Sequence, residues 1–214
     1  MLIGILDAIR KYPVKSLRPQ ILDEVEVGES GIPGDRAEAL FVRGGVKAAA
    51  LARTGKTYRG KEHNRLHLIS NADAARVAAA ERGVDVEVRR GEHFFDDAPI
   101  SMLIDRWLDD LSAHMGYRVE WQRFRPNFFV RAAADFAQGE SDLVGTVFQL
   151  GGVTLRVIFP NERCVVVNYH PDRPETDPEI LRYIAQERNA LMGIYCEVLQ
   201  PGVAHVGDEL IRRD

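Results

Sequence analysis

The sequence predicts a mainly β fold of the α+β type, an antiparallel or mixed β-barrel with about three appended helices. The sequence contains about eleven short predicted strands, and these follow one another in runs. A doubly wound parallel sheet would instead require strands and helices to alternate regularly. The chain has 214 residues, of which 45% are hydrophobic, enough for one sizeable core or two small domains.

Strands and one helix are predicted in the first half of the chain, where turns rich in glycine and proline separate the alternating segments. The Ala-rich segment 72–82 predicts a helix, with Asn71 as its N-cap and Gly83 just past its end. The predicted strands of this half are 2–10, 21–27, 37–42, 46–51 and 84–88.

The second half is predicted to consist mostly of strands, with two further helices. One helix is expected over 106–115, where apolar residues recur at helical spacing. The other is expected over 178–191 and begins either at a capping box of Thr176 and Glu179 or at Asp177, which a proline follows. The predicted strands and apolar runs of this half are 100–104, 117–121, 127–130, 146–150, 153–159, 194–198 and 203–206.

A boundary within the chain is predicted near an acidic stretch at 91–99, which ends in Pro99. Residues 1–95 then form an N-terminal β-barrel-like subdomain, and residues 96–214 form the second unit. Because the candidate site residues described below come from both segments, the two are alternatively one interwoven unit.

Composition narrows the classes of partner. The net charge of −4 argues against a generic nucleic-acid-binding protein. Residues 43–67 nevertheless contain seven Lys or Arg and one Glu, which predicts either a localised anion site or a solvated basic loop. No apolar run is long enough to cross a bilayer, and the N-terminal segment lacks the basic region of a secretory signal. We therefore expect a cytoplasmic protein that associates with neither nucleic acid nor membrane.

The two cysteines exclude a disulfide scaffold and any site that needs four thiolates from this chain. Cys164 follows the predicted strand 153–159 and lies beside Arg163, whose charge favours the reactive, metal-ligating thiolate. A buried structural cysteine is the alternative. Cys196 alternates with apolar residues on a predicted strand, and we expect it in the core.

Cationic residues occur in three predicted turns. Lys15 and Ser16 follow a proline, Arg36 follows a glycine-rich cluster, and Arg125 precedes a predicted strand that begins with Asn127. Backbone N–H groups in such turns, with Lys, Ser or Arg beside them, suit phosphate. Each of these residues is alternatively a solvated charge or a turn former. The chain contains no Walker loop, dinucleotide fingerprint, nucleophile elbow or zinc-protease motif.

His63 and His67 have the i, i+4 spacing that can bind a metal on a helix. The residues around His67 are typical of the beginning of a strand, and no third histidine lies nearby in the sequence. We therefore predict no zinc site there.

The order and spacing of six motifs resemble the MOSC family, named for the C-terminal domain of molybdenum cofactor sulfurase. The likeness is to members with an N-terminal MOSC-associated β-barrel, such as the amidoxime-reducing component and its bacterial relatives. The motifs span nearly the whole chain. They are Tyr12-Pro13-Val14-Lys15-Ser16-Leu17, Gly31-Ile32-Pro33-Gly34-Asp35-Arg36, Arg123-Phe124-Arg125-Pro126-Asn127, Pro160-x-x-Arg163-Cys164, Gly193-x-Tyr195 and Val206-Gly207-Asp208.

The resemblance implies a MOSC-type β-barrel that binds molybdenum cofactor, a phosphorylated pterin dithiolene. It implies that Cys164 ligates molybdenum, which agrees with the preference of soft metals for thiolate. It also implies that Lys15, Ser16 and Arg36 hold the anionic end of the cofactor. The remaining cofactor-binding residues that it implies are Arg125, Asn127 and Arg163.

Three positions depart from the family pattern. Asp105 stands where Ser or Thr is common, and it would place a negative charge where a cofactor contact is expected. Leu143 stands where Trp is common, and His170 with Pro171 replaces an Asp-Pro pair. These changes bear on the substrate pocket and, at Asp105, on cofactor affinity.

The leading functional hypothesis is a molybdenum-cofactor oxidoreductase that reduces N-oxygenated small molecules at a Cys-ligated metal. Electrons are expected from a separate iron–sulfur or flavin reductase, because two cysteines exclude a fused iron–sulfur domain. One alternative is a sulfur carrier that uses a Cys164 persulfide. Another is a non-enzymatic module that binds a phosphate ligand such as pyridoxal phosphate through Lys15.

Overall fold

The computed structural model describes residues 1–45, 55–58, 66–91 and 93–213, which form twelve strands and three α-helices. The strands are β1 (Leu2–Lys11), β2 (Gln20–Leu22), β3 (Glu24–Val27), β4 (Glu38–Gly44), β5 (Asp85–Arg90), β6 (Ile100–Ile104), β7 (Phe128–Ala132), β8 (Val147–Leu150), β9 (Val153–Glu162), β10 (Leu191–Gln200), β11 (Gly202–His205) and β12 (Glu209–Arg212). The helices are α1 (Ala72–Glu81), α2 (Asp109–Met115) and α3 (Pro178–Glu187). Short 3₁₀ helices occur at Leu66–Leu68, Asp105–Leu108, Trp121–Phe124, Ser141–Leu143 and Val165–Asn168.

Seven strands close into a mixed barrel in the order β12, β8, β9, β10, β6, β7 and β1, and pairing of β1 with β12 completes the ring. β6 and β7 pair in parallel, whereas the other neighbours in the ring are antiparallel. β2 extends the sheet from the end of β1. The predicted mainly β barrel with three helices is confirmed.

The apolar faces of the barrel strands form the main core. β1 contributes Ile3, Leu6 and Ile9, all fully buried, and α3 covers one side of the core with Ile180 and Ile184. Burial of each such side chain contributes about 1.5–3 kcal/mol to folding. The barrel is therefore a packed core, and the candidate site must lie at its rim.

A second, smaller core lies where α1 packs against the two-stranded sheet of β4 and β5. Ala75 and Ala79 on α1 are fully buried there, facing Leu40 and Val42 of β4. The small alanine side chains let the helix approach the sheet closely. This unit positions the turn before β4, which contributes to the site.

The division at residue 95 stays a proposal. Strands of the first segment pair with strands of the second: β1 with β7 and β12, and β3 with β11. These ladders favour the interwoven alternative over independent folding.

Several local predictions are confirmed and others are wrong. The N-caps Asn71 and Asp177 accept backbone hydrogen bonds from Ala74 and Glu179, so Asp177, and not a capping box, begins α3. α3 ends at Glu187 rather than at 191, because the two residues before β10 have left-handed φ values.

The predicted strand 117–121 does not form. Its apolar residues pack instead of pairing: Val119 is buried, and Trp121 begins a 3₁₀ helix and stacks on Phe129 with ring centroids 4.4 Å apart. Segment 21–27 is divided into β2 and β3 at Asp23. β9 runs past Pro160 to Glu162, with Pro160 beside a register irregularity that tolerates its missing N–H. The predicted strand 46–51 and His63 lie outside the described residues.

No helix within the described ranges combines the length and apolar character needed to span a membrane.

We expect Asn71→Ala to lower the free energy of unfolding by about 1 kcal/mol, since the Asn71 side chain accepts the Ala74 N–H at 2.9 Å. Urea unfolding measures this change. Asn71→Asp is the control, because its carboxylate can cap the same N–H. Equal destabilisation by both variants would contradict a capping role.

Candidate functional site

A cavity of about 380 Å³ opens at the rim of the barrel, where β6, β9 and β10 meet the turns that flank β1, β4 and β7. Its volume lies within the range typical of small-molecule sites. Residues predicted from distant parts of the sequence meet here. Those that line the cavity are Lys15, Ser16, Arg36, Arg125, Arg163 and Cys164.

Left-handed backbone conformations are concentrated at this cavity. Ser16, Arg36 and Arg125 have φ values of 71°, 48° and 52°, which residues with a Cβ rarely adopt. In the described ranges, the two other non-glycine residues of this kind are Asn189 and Ala190, and the Ala190 carbonyl accepts the Arg163 N–H at 2.7 Å. Such strain is typical of functional sites and persists only where surrounding contacts enforce it.

The buried carboxylate of Asp35 provides such contacts for Arg36. Asp35 is 3% exposed, and its Oδ1 accepts the Tyr12 N–H at 2.6 Å. Its Oδ2 accepts from the Arg36 guanidinium and from Asn127 Nδ2. One ion pair and two further hydrogen bonds thus join β1, the turn before β4 and the beginning of β7.

Two guanidinium groups contact the Tyr12 ring. The Cζ atoms of Arg36 and Arg125 are 4.6 and 4.3 Å from the ring centroid, and the Tyr12 hydroxyl donates to the Pro126 carbonyl. Burial raises the pKa of Tyr12 although both guanidinium groups oppose the shift, so the ring is neutral at physiological pH. Tyr12 therefore holds two positive charges near one another through their interaction with its faces.

Asn127 lies behind the cavity and does not line it. Its side chain is 1% exposed, and its Oδ1 accepts from the N–H and hydroxyl of Ser101 and from Arg36. Its Nδ2 donates to the Arg10 carbonyl and to Asp35. Because these contacts occupy the whole amide, we assign Asn127 a positioning role toward Arg36.

Arg125 and Arg163 supply positive charge that no carboxylate within the described ranges pairs with. Arg125 Nη2 donates to the Leu17 carbonyl at 2.7 Å, and Arg163 donates to the carbonyls of Met192 and Phe124. Burial lowers the pKa of each arginine to about 10. Both stay protonated at neutral pH, so an anion in the cavity would relieve an uncompensated charge.

The Nη2 nitrogen of Arg163 lies against Gly193. It is buried and makes no hydrogen bond with the described residues. Gly193, with φ of 87°, lets this nitrogen approach, since a Cβ there would lie 2.9 Å from it. This explains the glycine of the Gly193-x-Tyr195 motif.

Carboxylates line the exposed side of the cavity. Lys15 Nζ lies 2.6 Å from Asp96 Oδ1, and Asp97 and Glu162 are exposed nearby. The acidic stretch 91–99, interpreted from the sequence as a boundary, thus contributes to the site. An anion bound by Lys15 must share this ammonium group with Asp96.

Cys164 presents an exposed thiol to the cavity two residues beyond β9. It occupies the N-cap position of the 3₁₀ helix Val165–Asn168, and its side chain makes no capping hydrogen bond. Cys196 lies in the barrel core as predicted, where burial raises the pKa of its thiol. Only Cys164 of the two is accessible to a ligand or a partner.

Two lining residues were not selected from the sequence. The His67 ring stacks on Tyr169, and its Nε2 donates to the His170 carbonyl at 2.7 Å. Burial lowers the pKa of His67 and raises that of Tyr195. His67 lies in a 3₁₀ helix, not in the predicted strand. The spacing of His67 to His63 did not indicate that His67 lies at this cavity. Tyr195, in contrast, belongs to the Gly193-x-Tyr195 motif.

The departures from the family pattern lie away from the cavity wall. Asp105 accepts the Ala132 N–H at 2.8 Å and does not line the cavity. The expectation that its charge faces a cofactor is therefore wrong, because the carboxylate is used to join the chain after β6 to β7. Leu143 is fully buried in the core, and His170 Nε2 lies 3.4 Å from Glu120.

Comparison with known proteins identifies the family. The MOSC domain family model matches residues 89–211, more than half of the chain, and the chain therefore belongs to the MOSC domain family. No curated protein matches it.

Two solved structures have similar folds. YuaD from Bacillus subtilis has a TM-score of 0.57 at 19% identity, covering 98% of this chain and 94% of that one. YiiM from Escherichia coli has a TM-score of 0.51 at 13% identity, covering 100% and 71%. At these identities the likeness concerns the fold alone, and it agrees with a MOSC-type barrel.

We expect Asp35→Asn to lower the free energy of unfolding by about 3 kcal/mol, because it leaves the Arg36 guanidinium without its buried counter-charge. Asp97→Asn makes the same chemical change at an exposed position of the same cavity and should stay within about 0.5 kcal/mol of the parent. Urea unfolding of both variants measures the difference. Similar stability of the two variants would contradict the role assigned to Asp35.

Proposed function

We propose that this protein is a molybdenum-cofactor oxidoreductase that reduces N-oxygenated compounds, with Cys164 as the protein ligand of molybdenum. The observation that carries the proposal is one cavity that combines an exposed thiol with two arginines that form no ion pair among the described residues. The MOSC family is associated with molybdenum-cofactor-related proteins, which supports the same reading.

The residues fit such a group. Arg163 donates to backbone carbonyls and pairs with no carboxylate of the described residues, and a phosphorylated anionic ligand would balance its charge. The Cys164 thiolate is the soft ligand that suits a metal already bound by sulfur. Arg36, Arg125 and Lys15 would hold the anionic end of the cofactor, with Ser16 beside them.

The bound cofactor would supply two-electron redox chemistry, and the protein would supply orientation and charge. Asp35 and Tyr12 fix the guanidinium groups before a ligand arrives, which reduces the entropy lost on binding. Tyr195 keeps its phenolic proton at neutral pH because burial raises its pKa, so its hydroxyl can donate a hydrogen bond to an oxygen in the cavity.

The exposed carboxylates support the choice of substrate. Asp96, Asp97 and Glu162 give the accessible side of the cavity a negative potential, which disfavours oxoanions such as nitrate. Neutral or cationic N-hydroxylated compounds meet no such repulsion. Electrons would come from a separate iron–sulfur or flavin reductase, as two cysteines cannot hold a four-thiolate cluster.

We expect near-stoichiometric molybdenum in the protein produced in a host that synthesises the cofactor, measured by plasma mass spectrometry. Cys164→Ser should lose most of the metal, because a hydroxyl is a poor ligand for it. Cys196→Ala is the matched control and should retain the metal, since Cys196 lies in the core.

The metal-loaded protein should then reduce an N-hydroxylated substrate with a chemical reductant. Full metal content and full turnover in Cys164→Ala would refute this function.

A sulfur carrier is the second candidate, and the exposure of Cys164 favours it because a donor protein can reach the thiol. The Cys164 thiolate would attack the terminal sulfur of a donor persulfide, forming one S–S bond while the donor's S–S bond breaks and its thiolate leaves. No net oxidation occurs, and no metal is required.

Incubation with a cysteine desulfurase and cysteine should then add about 32 Da, one sulfur, to Cys164. Peptide mass spectrometry locates the adduct, and Cys164→Ser is the control. An unmodified Cys164 would eliminate this candidate, whereas an adduct in a protein that takes up no molybdenum would favour it over the oxidoreductase.

The third possibility, a module for a phosphate ligand such as pyridoxal phosphate, stays a prediction. The same cations would attract such a ligand, and the Lys15–Asp96 ion pair affects it in the same way as it affects the molybdenum cofactor. No contact at the cavity favours it over the first two candidates.

A further inference from the structure

A second cavity, of about 260 Å³, adjoins the first on the side away from Cys164, which does not line it. The two cavities share a wall. It consists of His67, Arg123, Arg125, Val166 and Tyr169. The far side of the second cavity is formed by the ends of β1 and β2 and by the segment after the 3₁₀ helix Val165–Asn168.

Arg10 of β1 provides an unsatisfied charge in this cavity. Its Nε is buried and has no hydrogen-bond partner, and its guanidinium forms no ion pair within the described part of the chain. The Cζ atom lies 5.0 Å from the centroid of the Trp121 ring, which holds the side chain in place. The Arg10 backbone is fixed by a hydrogen bond from its N–H to the Asn127 carbonyl at 2.8 Å.

The other charges of the second cavity leave a positive excess. Arg18 lies 3.4 Å from Asp172, and Arg123 lies 2.6 Å from Glu120, so these two arginines are compensated. Arg125 donates to a backbone carbonyl and forms no ion pair with a described residue. Among the described lining residues, Arg10 and Arg125 therefore carry two charges that no carboxylate balances.

The remaining walls are largely apolar. Ile21, the cross-strand partner of Arg10, is 70% exposed, an unusual position for a large aliphatic side chain. The other apolar contributions come from Pro19, Val166, Tyr169 and Pro171. A flat apolar group could cover these surfaces, and the modest volume limits its size.

We propose that the second cavity binds a small organic carboxylate with a flat apolar body, of which benzoate is the simplest example. Arg10 and Arg125 receive the carboxylate, whose two oxygens match the planar donor groups of a guanidinium. The apolar body lies against Ile21 and the prolines. This site needs no molybdenum, although it shares Arg125 with the cavity proposed to hold the cofactor.

Calorimetric titration of the full chain without cofactor tests the site, with benzoate as the probe and benzamide as its uncharged analogue. We expect saturable 1:1 binding of benzoate and at least about tenfold weaker binding of benzamide, because charge-assisted hydrogen bonds are the strong ones. Absence of saturable benzoate binding, or equal affinity for both compounds, would overturn the proposal.

Variants at position 21 locate the ligand without disturbing the core. Ile21→Glu places a carboxylate opposite Arg10, where it competes with benzoate, and should weaken binding by about tenfold or more. Ile21→Gln has the same shape without the charge and should bind benzoate at least about tenfold more tightly than Ile21→Glu.

Arg10→Met, which keeps apolar contact with Trp121, should weaken binding by a similar factor to Ile21→Glu. Lys15→Met alters only the first cavity and should leave benzoate binding unchanged. Loss of binding in Lys15→Met, with binding retained in Arg10→Met and Ile21→Glu, would place benzoate in the first cavity and refute the assignment.

Discussion

The buried carboxylate of Asp35 is the contact on which the site depends. It accepts hydrogen bonds from the Tyr12 backbone, the Arg36 guanidinium and the Asn127 amide, which come from three separate parts of the chain. A buried carboxylate is tolerated only when it is paired and hydrogen-bonded, so these partners must stay in place. The left-handed conformation of Arg36 is maintained by the same network.

This network has an electrostatic consequence. Asp35 neutralises Arg36, but Arg125 and Arg163 pair with no carboxylate in the part of the chain that the structure describes, and burial lowers the pKa of both. Positive charge therefore lies deep in the first cavity, and exposed carboxylates lie toward solvent. A ligand that is anionic at one end and neutral or cationic at the other fits such a gradient. The arrangement is preformed, since backbone carbonyls and the Tyr12 ring hold the guanidinium groups.

The sequence could predict the elements whose signal is local. The caps of α1 and α3 and the strands of the barrel follow from residue type and period. In segment 117–121 apolar and polar residues alternate, but the segment pairs with no described strand, and Trp121 packs on Phe129 of β7 instead. Strand pairing depends on partners that are distant in the sequence, and the alternation of apolar and polar residues does not reveal them.

The same distinction holds at the site. The order of the motifs could predict that Lys15, Arg125 and Cys164 meet at one site, because each motif contains the functional residue itself. It could not distinguish Asn127, which positions Arg36, from residues that face a ligand. Nor could it show that Asp105 is bonded to the backbone of β7 and turned away from the cavity. Side-chain direction is decided by tertiary contacts, so spacing alone leaves it open.

Arg125 stands in the wall between the two cavities and is one group available to both. An anion in one cavity would partly neutralise the positive charge of Arg125, on which an anion in the other cavity also depends. Thermodynamic linkage makes this interference reciprocal: whatever free energy the first occupant removes from the binding of the second, the second removes from the first. Because both cavities use the Arg125 guanidinium, the fraction of either cavity that is occupied depends on the free concentration of the ligand of the other.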